Sequence, residues 1–251
     1  MDEVYDQYQP DNGALIEQAL DYMERVESNS VQTEGDILII GNSFARDMYH
    51  LLYYAYPSIR NNLNYQSLTS LNQFIPRINS LANVDRLIIS QRYFSGDLSA
   101  LNEILRQDQL KNVEIAIILN PIEFPEISTK TLMDGIVSQM DCDLSELQCR
   151  VSTSQKVNEQ YTQFINRGKS ERQIVEKVNE ALVRISQSSE NIRLYDRTDI
   201  FCSKGACKIT DDTLFKAFFD YGHVTVAGIA KFGELIERTK WMATFVESNN
   251  E

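Results

Sequence analysis

Short apolar runs of strand length alternate along the chain with longer segments in which apolar residues recur at helical spacing. The first and fourth runs are almost wholly apolar, a pattern typical of strands buried on both faces of a parallel sheet. Strands that alternate with helices at this spacing predict an α/β fold, a three-layer α/β/α sandwich around a five-stranded, mainly parallel sheet. The predicted strands cover residues 37–40, 62–68, 86–90, 113–119 and 192–195.

Amphipathic segments predict the helices. Residues 13–28 carry apolar and aromatic side chains on one helical face, which indicates a helix packed on the domain. We therefore expect residues 1–35 to form an N-terminal amphipathic helix and linker, and residues 36–251 to form one domain. Residues 121–152 are irregular, and we expect them to cross the carboxyl ends of the strands and shape a ligand groove; a surface insertion is the alternative. The other predicted helices cover residues 44–54, 71–81 with a break at Pro76, 97–110, 130–140, 157–165, 171–186 and 224–245.

Composition and charge narrow the classes of partner. The chain has 251 residues, 43% of them hydrophobic, which is enough for one large domain with a sizeable core. A formal net charge of −12 disfavours nucleic acid and anionic membrane surfaces, because both call for basic patches. The sequence has no apolar stretch of about 18 residues, and its start lacks the basic and apolar regions of a signal peptide. We therefore expect a soluble chain without a membrane span.

The sequence DILIIGNSFARD, residues 36–47, marks the junction of the first strand with the next helix. Gly41 permits a tight exit, and Ser43 then lies between the carboxyl end of a strand and the amino end of a helix. Unpaired N–H groups and the positive end of the helix dipole face an oxyanion forming there, so Ser43 is a candidate nucleophile. An ordinary helix cap is the alternative. Arg46 and Asp47 are interpreted as a local ion pair or a loop brace without a catalytic role.

A candidate base lies near the other end of the chain, in the sequence DYGHVTVAG. His223 is one of only two histidines, and Asp220 precedes it by three residues. On a turn, this spacing lets a carboxylate bind the imidazole Nδ1 and leaves Nε2 to deprotonate a serine hydroxyl. Asp196 and Asp199 are minor alternatives to Asp220 as the orienting acid. The other histidine, His50, is interpreted as a packed or exposed side chain rather than a ligand.

Together these two motifs resemble those of the SGNH, or GDSL-like, hydrolase superfamily, whose first block is GDS or GNS after the first strand and whose last is D-x-x-H. Here the blocks are GNS at residues 41–43 and DYGH at residues 220–223. The sequence is most similar to the extracytoplasmic SGNH domain fused to membrane acyltransferase-3 proteins that O-acetylate surface polysaccharides. Three features carry this similarity: the GNSFARD block, Arg92 and Tyr93 in SQRYF, and a cysteine pair shortly before D-x-x-H. The resemblance covers residues from about 36 to 240.

The resemblance implies a flavodoxin-like SGNH catalytic domain over residues 36–251, with Ser43 as nucleophile, His223 as base and Asp220 as acid. It implies transfer of an acetyl group to hydroxyls of a cell-surface glycan through an acyl-enzyme at Ser43. Two alternatives stay open: an esterase of the same fold that hydrolyses carbohydrate or small esters, and a non-catalytic glycan-binding domain. No cofactor is implied, and the expected partners are a glycan or acyl-ester substrate and a membrane acyltransferase domain absent from this chain. The implied location is extracytoplasmic, in the periplasm or at the cell surface.

The sequence departs from the superfamily pattern at the expected oxyanion hole. The wider superfamily uses a second-block glycine and the asparagine of a GxND block, whereas residues 58–80 contain no glycine and the third strand is followed by QRYFSG. The fused subgroup often has an arginine and an aromatic residue there, which makes Arg92 a candidate for oxyanion stabilisation or substrate binding. The other candidates are the Ser43 N–H and the side chain of Asn120. An α/β-hydrolase is excluded, because its G-x-S-x-G elbow lies well inside the chain and its acid and histidine are usually far apart.

Four cysteines form two close pairs, Cys142 with Cys149 and Cys202 with Cys207. Neither pair is a C-x-x-C, and histidines are scarce, so the sequence gives little support for a metal site. Two local disulfides are the favoured interpretation and imply an oxidising compartment, with four buried thiols as the alternative. A bridge between Cys202 and Cys207 would pin the loop that leads to the D-x-x-H motif.

Overall fold

The computed structural model describes Tyr8 and residues 11–29, 36–80, 84–120, 122–125, 130–167 and 173–247. Its main sheet has five strands: β1 (Ile37–Gly41), β2 (Leu63–Ser67), β3 (Arg86–Ser90), β4 (Glu114–Ile118) and β5 (Ile192–Tyr195). They lie in the order β2, β1, β3, β4, β5, and all four pairings are parallel. The predicted three-layer α/β fold around a five-stranded sheet is therefore confirmed.

Two separate apolar layers bury the two faces of this sheet. Along β1, Ile37 and Ile39 belong to one layer, whereas Leu38 and Ile40 belong to the other. All four side chains are buried. This burial on both sides explains why β1 is an uninterrupted apolar run in the sequence.

Helices cover both layers. The helices of the described residues are α1 (Asn12–Asn29), α2 (Ser43–Ala55), α3 (Asp97–Leu105), α4 (Leu132–Val137), α5 (Leu147–Arg167), α6 (Gln173–Ser186), α7 (Val226–Thr239) and α8 (Ala243–Val246). Helices α3 and α6 pack in the layer of Leu38 and Ile40, and the other six pack in the layer of Ile37 and Ile39. None of these helices combines the length and the apolar character needed to cross a membrane.

The N-terminal helix α1 packs on the domain, as its amphipathic pattern predicts. Ala19 and Met23 lie on one face of α1 and are buried in the same layer as α2 and α7. The rest of the predicted N-terminal helix and linker, residues 1–7, 9, 10 and 30–35, lies outside the described residues. The contacts of α1 thus belong to the core of the sheet domain.

Two predicted helices differ from the observed elements. The segment 71–81 forms two 3-10 turns, Leu71–Gln73 and Ile75–Ser80, instead of one interrupted helix. The segment 157–165 is only the second half of α5, which begins at Leu147. Helix α5 therefore includes the end of the stretch that the sequence indicates to be irregular.

The chain after β5 contains two features that the sequence did not predict. A short antiparallel ribbon is formed by β6 (Cys202–Ser203) and β7 (Ala206–Cys207). The predicted closing helix over residues 224–245 is divided into α7 and α8, because Lys240 and Met242 have positive φ angles of 58° and 64°. The backbone turns sharply at these two residues.

Strand β1 lies inside the sheet, so its carboxyl end is flanked by the ends of β2 and β3. Gly41 ends β1 with a φ of +142°, and a Cβ atom at this residue would lie only 2.0 Å from the carbonyl oxygen of Ser90 at the end of β3. Only glycine fits such a close approach of two backbones. The chain then reaches Ser43 at the edge where α/β sheets form their ligand sites.

Candidate active site

Asn42, rather than Ser43, caps helix α2. Asn42 has φ and ψ angles of −86° and −155°, and its side-chain oxygen accepts a hydrogen bond from the Phe44 N–H at 3.2 Å. Ser43 is exposed and is the first residue of the helix, where an N–H group has no intrahelical partner. Asn42 is therefore the helix cap that was the alternative role for Ser43. The Ser43 hydroxyl does not cap the helix and can make a different contact.

Ser43, His223 and Asp220 form one hydrogen-bonded row beyond the carboxyl end of β1. Ser43 Oγ lies 2.7 Å from His223 Nε2, and His223 Nδ1 lies 2.6 Å from Asp220 Oδ2. The other carboxylate oxygen, Oδ1, accepts hydrogen bonds from the backbone N–H groups of Gly222 and His223 at 2.8 and 2.7 Å. A carboxylate held in this way keeps the Nδ1 proton in place and leaves Nε2 as the acceptor for the serine proton. The structure thus brings together the three residues that the two motifs single out.

Electrostatics favour a proton on this imidazole. Burial lowers the pKa of His223, but the hydrogen bond with Asp220 and the negative charges of Asp47 and Asp220 outweigh burial and raise the pKa above its ordinary value of 6.5. Burial raises the pKa of Asp220, but the hydrogen bond and charge of His223, with two backbone N–H groups, bring this pKa below its ordinary value. An imidazolium that forms when a serine attacks is stabilised by the same interactions.

Aromatic rings pack against the imidazole. Phe44 stacks on His223 with a centroid distance of 4.6 Å and an interplanar angle of 16°. The ring of Phe219 is also parallel to the imidazole, at 5.8 Å, and Tyr221 approaches it edge-on at 5.5 Å. Because Phe44 follows Ser43 directly, helix α2 contributes both the hydroxyl and a ring that packs on the imidazole.

Arg92 lies at the rim of the site. Its Nε and Nη2 atoms contact the two carboxylate oxygens of Glu123 at 2.5 and 2.8 Å. The guanidinium also lies over the rings of Phe94 and Tyr221, at 5.3 and 5.4 Å from their centroids, and Tyr221 belongs to the same turn as His223. The Arg92 side chain is 39% exposed. Arg92 is therefore accessible beside the row, but a substrate would have to share it with Glu123.

Asn120 holds the turn that follows β3. Its Oδ1 accepts a hydrogen bond from the Tyr93 N–H at 2.6 Å, and its Nδ2 donates to the Tyr93 carbonyl at 3.0 Å. Asn120 is buried, with 5% of its surface exposed. Because both ends of the amide are engaged with Tyr93, we assign Asn120 to positioning this turn. The Ser43 N–H and Arg92 remain the candidates for contact with an oxyanion.

The other candidate residues have different contacts. His50 is buried against two tyrosine rings, so it is a packed histidine. Asp196 caps the 3-10 turn that contains Asp199. Neither of these two aspartates is the acid that binds the imidazole, since Asp220 occupies Nδ1 of His223.

Sequence reasoning missed Glu123 and Arg197. Glu123 follows β4 and Arg197 follows β5, so both come after the carboxyl ends of strands, as Arg92 does. The topology rule that selected Arg92 therefore applies equally to them. Asp47 forms an ion pair with Arg197, far away in sequence, so the predicted local ion pair is wrong for Asp47. Its contact with the Val224 N–H agrees with the alternative, a loop brace. Part of the predicted groove-forming excursion, residues 121 and 126–129, lies outside the described residues.

Both cysteine pairs are disulfide-bonded. The Cα atoms are 5.9 Å apart in the bridge Cys142–Cys149 and 3.9 Å apart in the bridge Cys202–Cys207. The second bridge joins opposite residues of β6 and β7. Phe201, directly before the ribbon, packs its ring on Phe218 in the segment that leads to the D-x-x-H turn. Among the described residues, no group of three or more His, Cys, Asp or Glu side chains is arranged to hold a metal ion.

Comparison with protein families is consistent with this geometry. A family model described as "SGNH domain (fused to AT3 domains)" matches residues 17–238, which include all five strands of the main sheet and both motifs. The match begins within α1, earlier than the resemblance from residue 36 onward. No curated protein matches the chain. SGNH domains are in general serine-type enzymes that hydrolyse or transfer acyl groups, and this chain, matched over most of its length, belongs to the family of SGNH domains fused to AT3 domains.

Proposed function

We propose that this chain transfers an acetyl group to hydroxyls of a cell-surface glycan through an acyl-enzyme at Ser43. One observation carries the proposal: the hydrogen-bonded row from Ser43 through His223 to Asp220, at 2.7 and 2.6 Å, in a domain whose relatives are fused to AT3 domains. A row of this kind activates a hydroxyl that is otherwise a weak nucleophile. The description of the family, SGNH domains fused to AT3 domains, supports transfer of the acetyl group to a glycan rather than to water.

In the first half-reaction, Ser43 Oγ attacks the carbonyl carbon of the donor ester while His223 Nε2 takes the hydroxyl proton. The tetrahedral intermediate collapses, the bond to the leaving oxygen breaks, and the imidazolium gives its proton to that oxygen. The products are the free alcohol and acetyl-Ser43. Asp220 stays ionised throughout and stabilises the imidazolium.

In the second half-reaction, the roles are repeated with a glycan hydroxyl. His223 takes the proton of that hydroxyl as its oxygen attacks acetyl-Ser43, and the bond between Oγ and the acyl carbon then breaks. Oγ recovers its proton from the imidazolium. The glycan leaves as an acetyl ester, and the enzyme returns to its starting protonation state.

Two groups are suited to stabilise the oxyanion. The N–H of Ser43 lies at the positive end of α2, where it has no intrahelical partner. Arg92 supplies a fixed cation at the rim, next to Tyr221 in the turn that carries His223. We assign the Ser43 N–H to the oxyanion, and Arg92 to charge stabilisation or to substrate binding at the rim.

Hydrolysis is the second candidate function, and the exposure of Ser43 favours it. An acyl-enzyme at an exposed serine is open to water, which would enter the second half-reaction in place of the glycan hydroxyl. The first half-reaction is the same in both cases. The acceptor alone distinguishes an acetyltransferase from an acetylesterase.

We also propose an extracytoplasmic location and a membrane acyltransferase domain as partner. The two disulfides support the location, because such bonds persist in oxidising compartments. The description of the family, SGNH domains fused to AT3 domains, supports the partner. Such a membrane domain would supply the acetyl donor, and this chain would pass the group to the glycan.

Transfer is tested by incubating the purified chain with an aryl acetate and a de-O-acetylated surface polysaccharide. The assay measures ester groups formed on the polysaccharide and acetate released to water, with Ser43→Ala as the control. Acetyl groups that appear on the polysaccharide with wild type only would support transfer. Aryl acetate turnover that yields only free acetate would support the esterase, and equal turnover by Ser43→Ala would reject both.

A further inference from the structure

A buried ion pair contacts the turn that carries His223. Arg197 Nη2 contacts Asp47 Oδ2 at 3.2 Å, and the two side chains are only 4% and 2% exposed. Asp47 lies four residues after Ser43 on α2, hence on the same face of that helix. Arg197 follows β5, so the contact joins parts of the chain that are far apart in sequence.

This pair holds the backbone on both sides of His223. Arg197 Nη2 donates a hydrogen bond to the Gly222 carbonyl at 3.0 Å. Asp47 Oδ2 accepts a hydrogen bond from the Val224 N–H at 3.2 Å. The residues immediately before and after the imidazole are therefore tied to the same ion pair, and through Asp47 to the helix that carries the nucleophile.

The pair also supports the side chain of His223. The Arg197 guanidinium lies over the ring of Phe44 at 5.4 Å, and Phe44 in turn stacks on the imidazole at 4.6 Å. Arg197 therefore contacts the ring that packs on the imidazole.

Net stability is a weak explanation for such a pair. Burial of two charges costs about as much as their attraction returns, and apolar side chains of similar volume often serve stability as well or better. A role in placing neighbouring groups is better supported here, since each partner makes a second contact to the turn around His223. We infer that Asp47 and Arg197 are positioning residues that fix His223 against Ser43, an inference that rests on the proposed acyl transfer.

The charges around His223 provide a readout that does not depend on activity, and kcat then decides whether the pair also positions the base. Asp220 and Asp47 act to raise the pKa of His223, and Arg197 acts to lower it. The carboxylate of Glu123, held by Arg92, also interacts electrostatically with His223. Because Asp47 and Arg197 have opposite signs, loss of one charge or the other should move the pKa of His223 in opposite directions.

The experiment compares Asp47→Asn, Arg197→Gln and the double variant Asp47→Leu with Arg197→Met. The double variant guards against loss of folding, because it leaves no unpaired buried charge. NMR titration of the imidazole gives the pKa of His223 without any need for activity, and the signal is assigned with His223→Gln. Aryl acetate turnover gives kcat and KM. Lys216→Met is the matched control, since Lys216 also forms a buried ion pair, with Asp134 at 2.7 Å.

We expect Asp47→Asn to lower the pKa of His223 and Arg197→Gln to raise it. The double variant should stay folded and have a pKa closer to that of the wild type. All three variants should lose kcat by on the order of 100-fold with little change in KM, because a base displaced by about 1 Å costs that much. Lys216→Met should lose stability while the His223 pKa and kcat stay unchanged.

Two results would overturn the inference: a double variant with kcat within about threefold of wild type, or single variants that move the His223 pKa in the same direction. Failure of the proposed function is seen separately. If the wild type neither hydrolyses nor transfers acetyl groups, acyl transfer is rejected. Opposite shifts of the His223 pKa would still support the placement of both charges beside the imidazole, and their absence would reject the positioning pair.

Discussion

The substitution Gly41→Ala tests whether the close approach of β1 and β3 sets the position of the nucleophile. A Cβ atom at residue 41 would lie 2.0 Å from the Ser90 carbonyl oxygen and 2.8 Å from the Ser90 carbonyl carbon, whereas ordinary contact begins at 3.4 Å. The obstacle is backbone, so it cannot rotate away. The two strand ends would have to separate by roughly 1.4 Å, and the φ of +142° would be strained for alanine.

The expected cost follows from these two effects. Strain at a positive φ and overpacking of a fixed neighbour each cost about 1–3 kcal/mol, so Gly41→Ala should destabilise the protein by about 3 kcal/mol. For a chain of this length, that corresponds to a melting temperature lower by roughly 6–12 °C. Because Ser43 lies two residues further on, a shift near 1 Å should also lower kcat by on the order of 100-fold.

Urea unfolding and aryl acetate turnover measure the two effects. Gly96→Ala is the control, since Gly96 has a φ of −68° and its Cβ would meet no atom within 4 Å. This control should change stability by less than about 1 kcal/mol and leave kcat unchanged. If Gly41→Ala unfolded at the same urea concentration as wild type with full turnover, the argument that this contact places Ser43 would be refuted.

Three further predictions concern the site. The rate should rise with pH through the pKa of His223, which Asp220 raises above 6.5, because only the neutral imidazole accepts the serine proton; a pH profile with a midpoint below 6.5 would contradict this. Asp220→Asn should lower kcat by about 10⁴-fold without loss of folding, since the imidazole loses its tautomer control; kinetics within tenfold of wild type would count against the acid role. Arg92→Ala should lower turnover about tenfold or more, because a cation beside the site is lost, and should leave the melting temperature unchanged, because the Arg92 side chain is 39% exposed. Full activity in Arg92→Ala with a lower melting temperature would assign the contact with Glu123 to stability.

The same pKa shift has a consequence for folding stability. A histidine whose pKa is raised in the folded state contributes stability that is fully present below its unfolded pKa, near 6.5. That contribution is lost as pH rises through the folded pKa. The ion pair between His223 and Asp220 should therefore stabilise the fold most in mild acid, whereas the base function of His223 requires higher pH.

The sheet could be predicted because its strands have a distinctive composition. The strands β1, β3 and β4 are buried on both faces, so each is a nearly continuous apolar run between polar segments. The start of α5 could not be predicted in this way. Thr153 and Ser154 are buried there, and each donates its hydroxyl to a carbonyl of its own helix, at 2.8 and 2.9 Å. Buried polar residues whose hydroxyls bond to the helix backbone interrupt the apolar pattern from which a helix is predicted.

The break between α7 and α8 could not be predicted from the sequence for a different reason. Lys240 ends α7 in the left-handed conformation, and Met242 adopts the same conformation before α8. Helices commonly end at a glycine with a positive φ, but this turn has none. The apolar pattern therefore continues across the turn, and tertiary packing rather than a local signal places the break.

In the candidate site, too, some residues could be predicted from local sequence motifs and others could not. Ser43, Asp220 and His223 lie in two short motifs, and the combination of these motifs, with its resemblance to SGNH hydrolases, singles them out in the sequence. Arg197 and its partner Asp47 are 150 residues apart, and no local pattern connects them. Their contact depends on the parallel direction of the strands, which brings the carboxyl end of β5 to the same edge of the sheet as that of β1.

The central claim is that Ser43 is the nucleophile, and covalent labelling with a fluorophosphonate tests it most directly. Intact-mass measurement and peptide mapping should find one adduct per wild-type chain, located on Ser43. Ser43→Ala should gain none, and His223→Gln should be labelled far more slowly because the hydroxyl loses its base. A wild-type chain that stays unlabelled, or an adduct that persists in Ser43→Ala, would contradict the account.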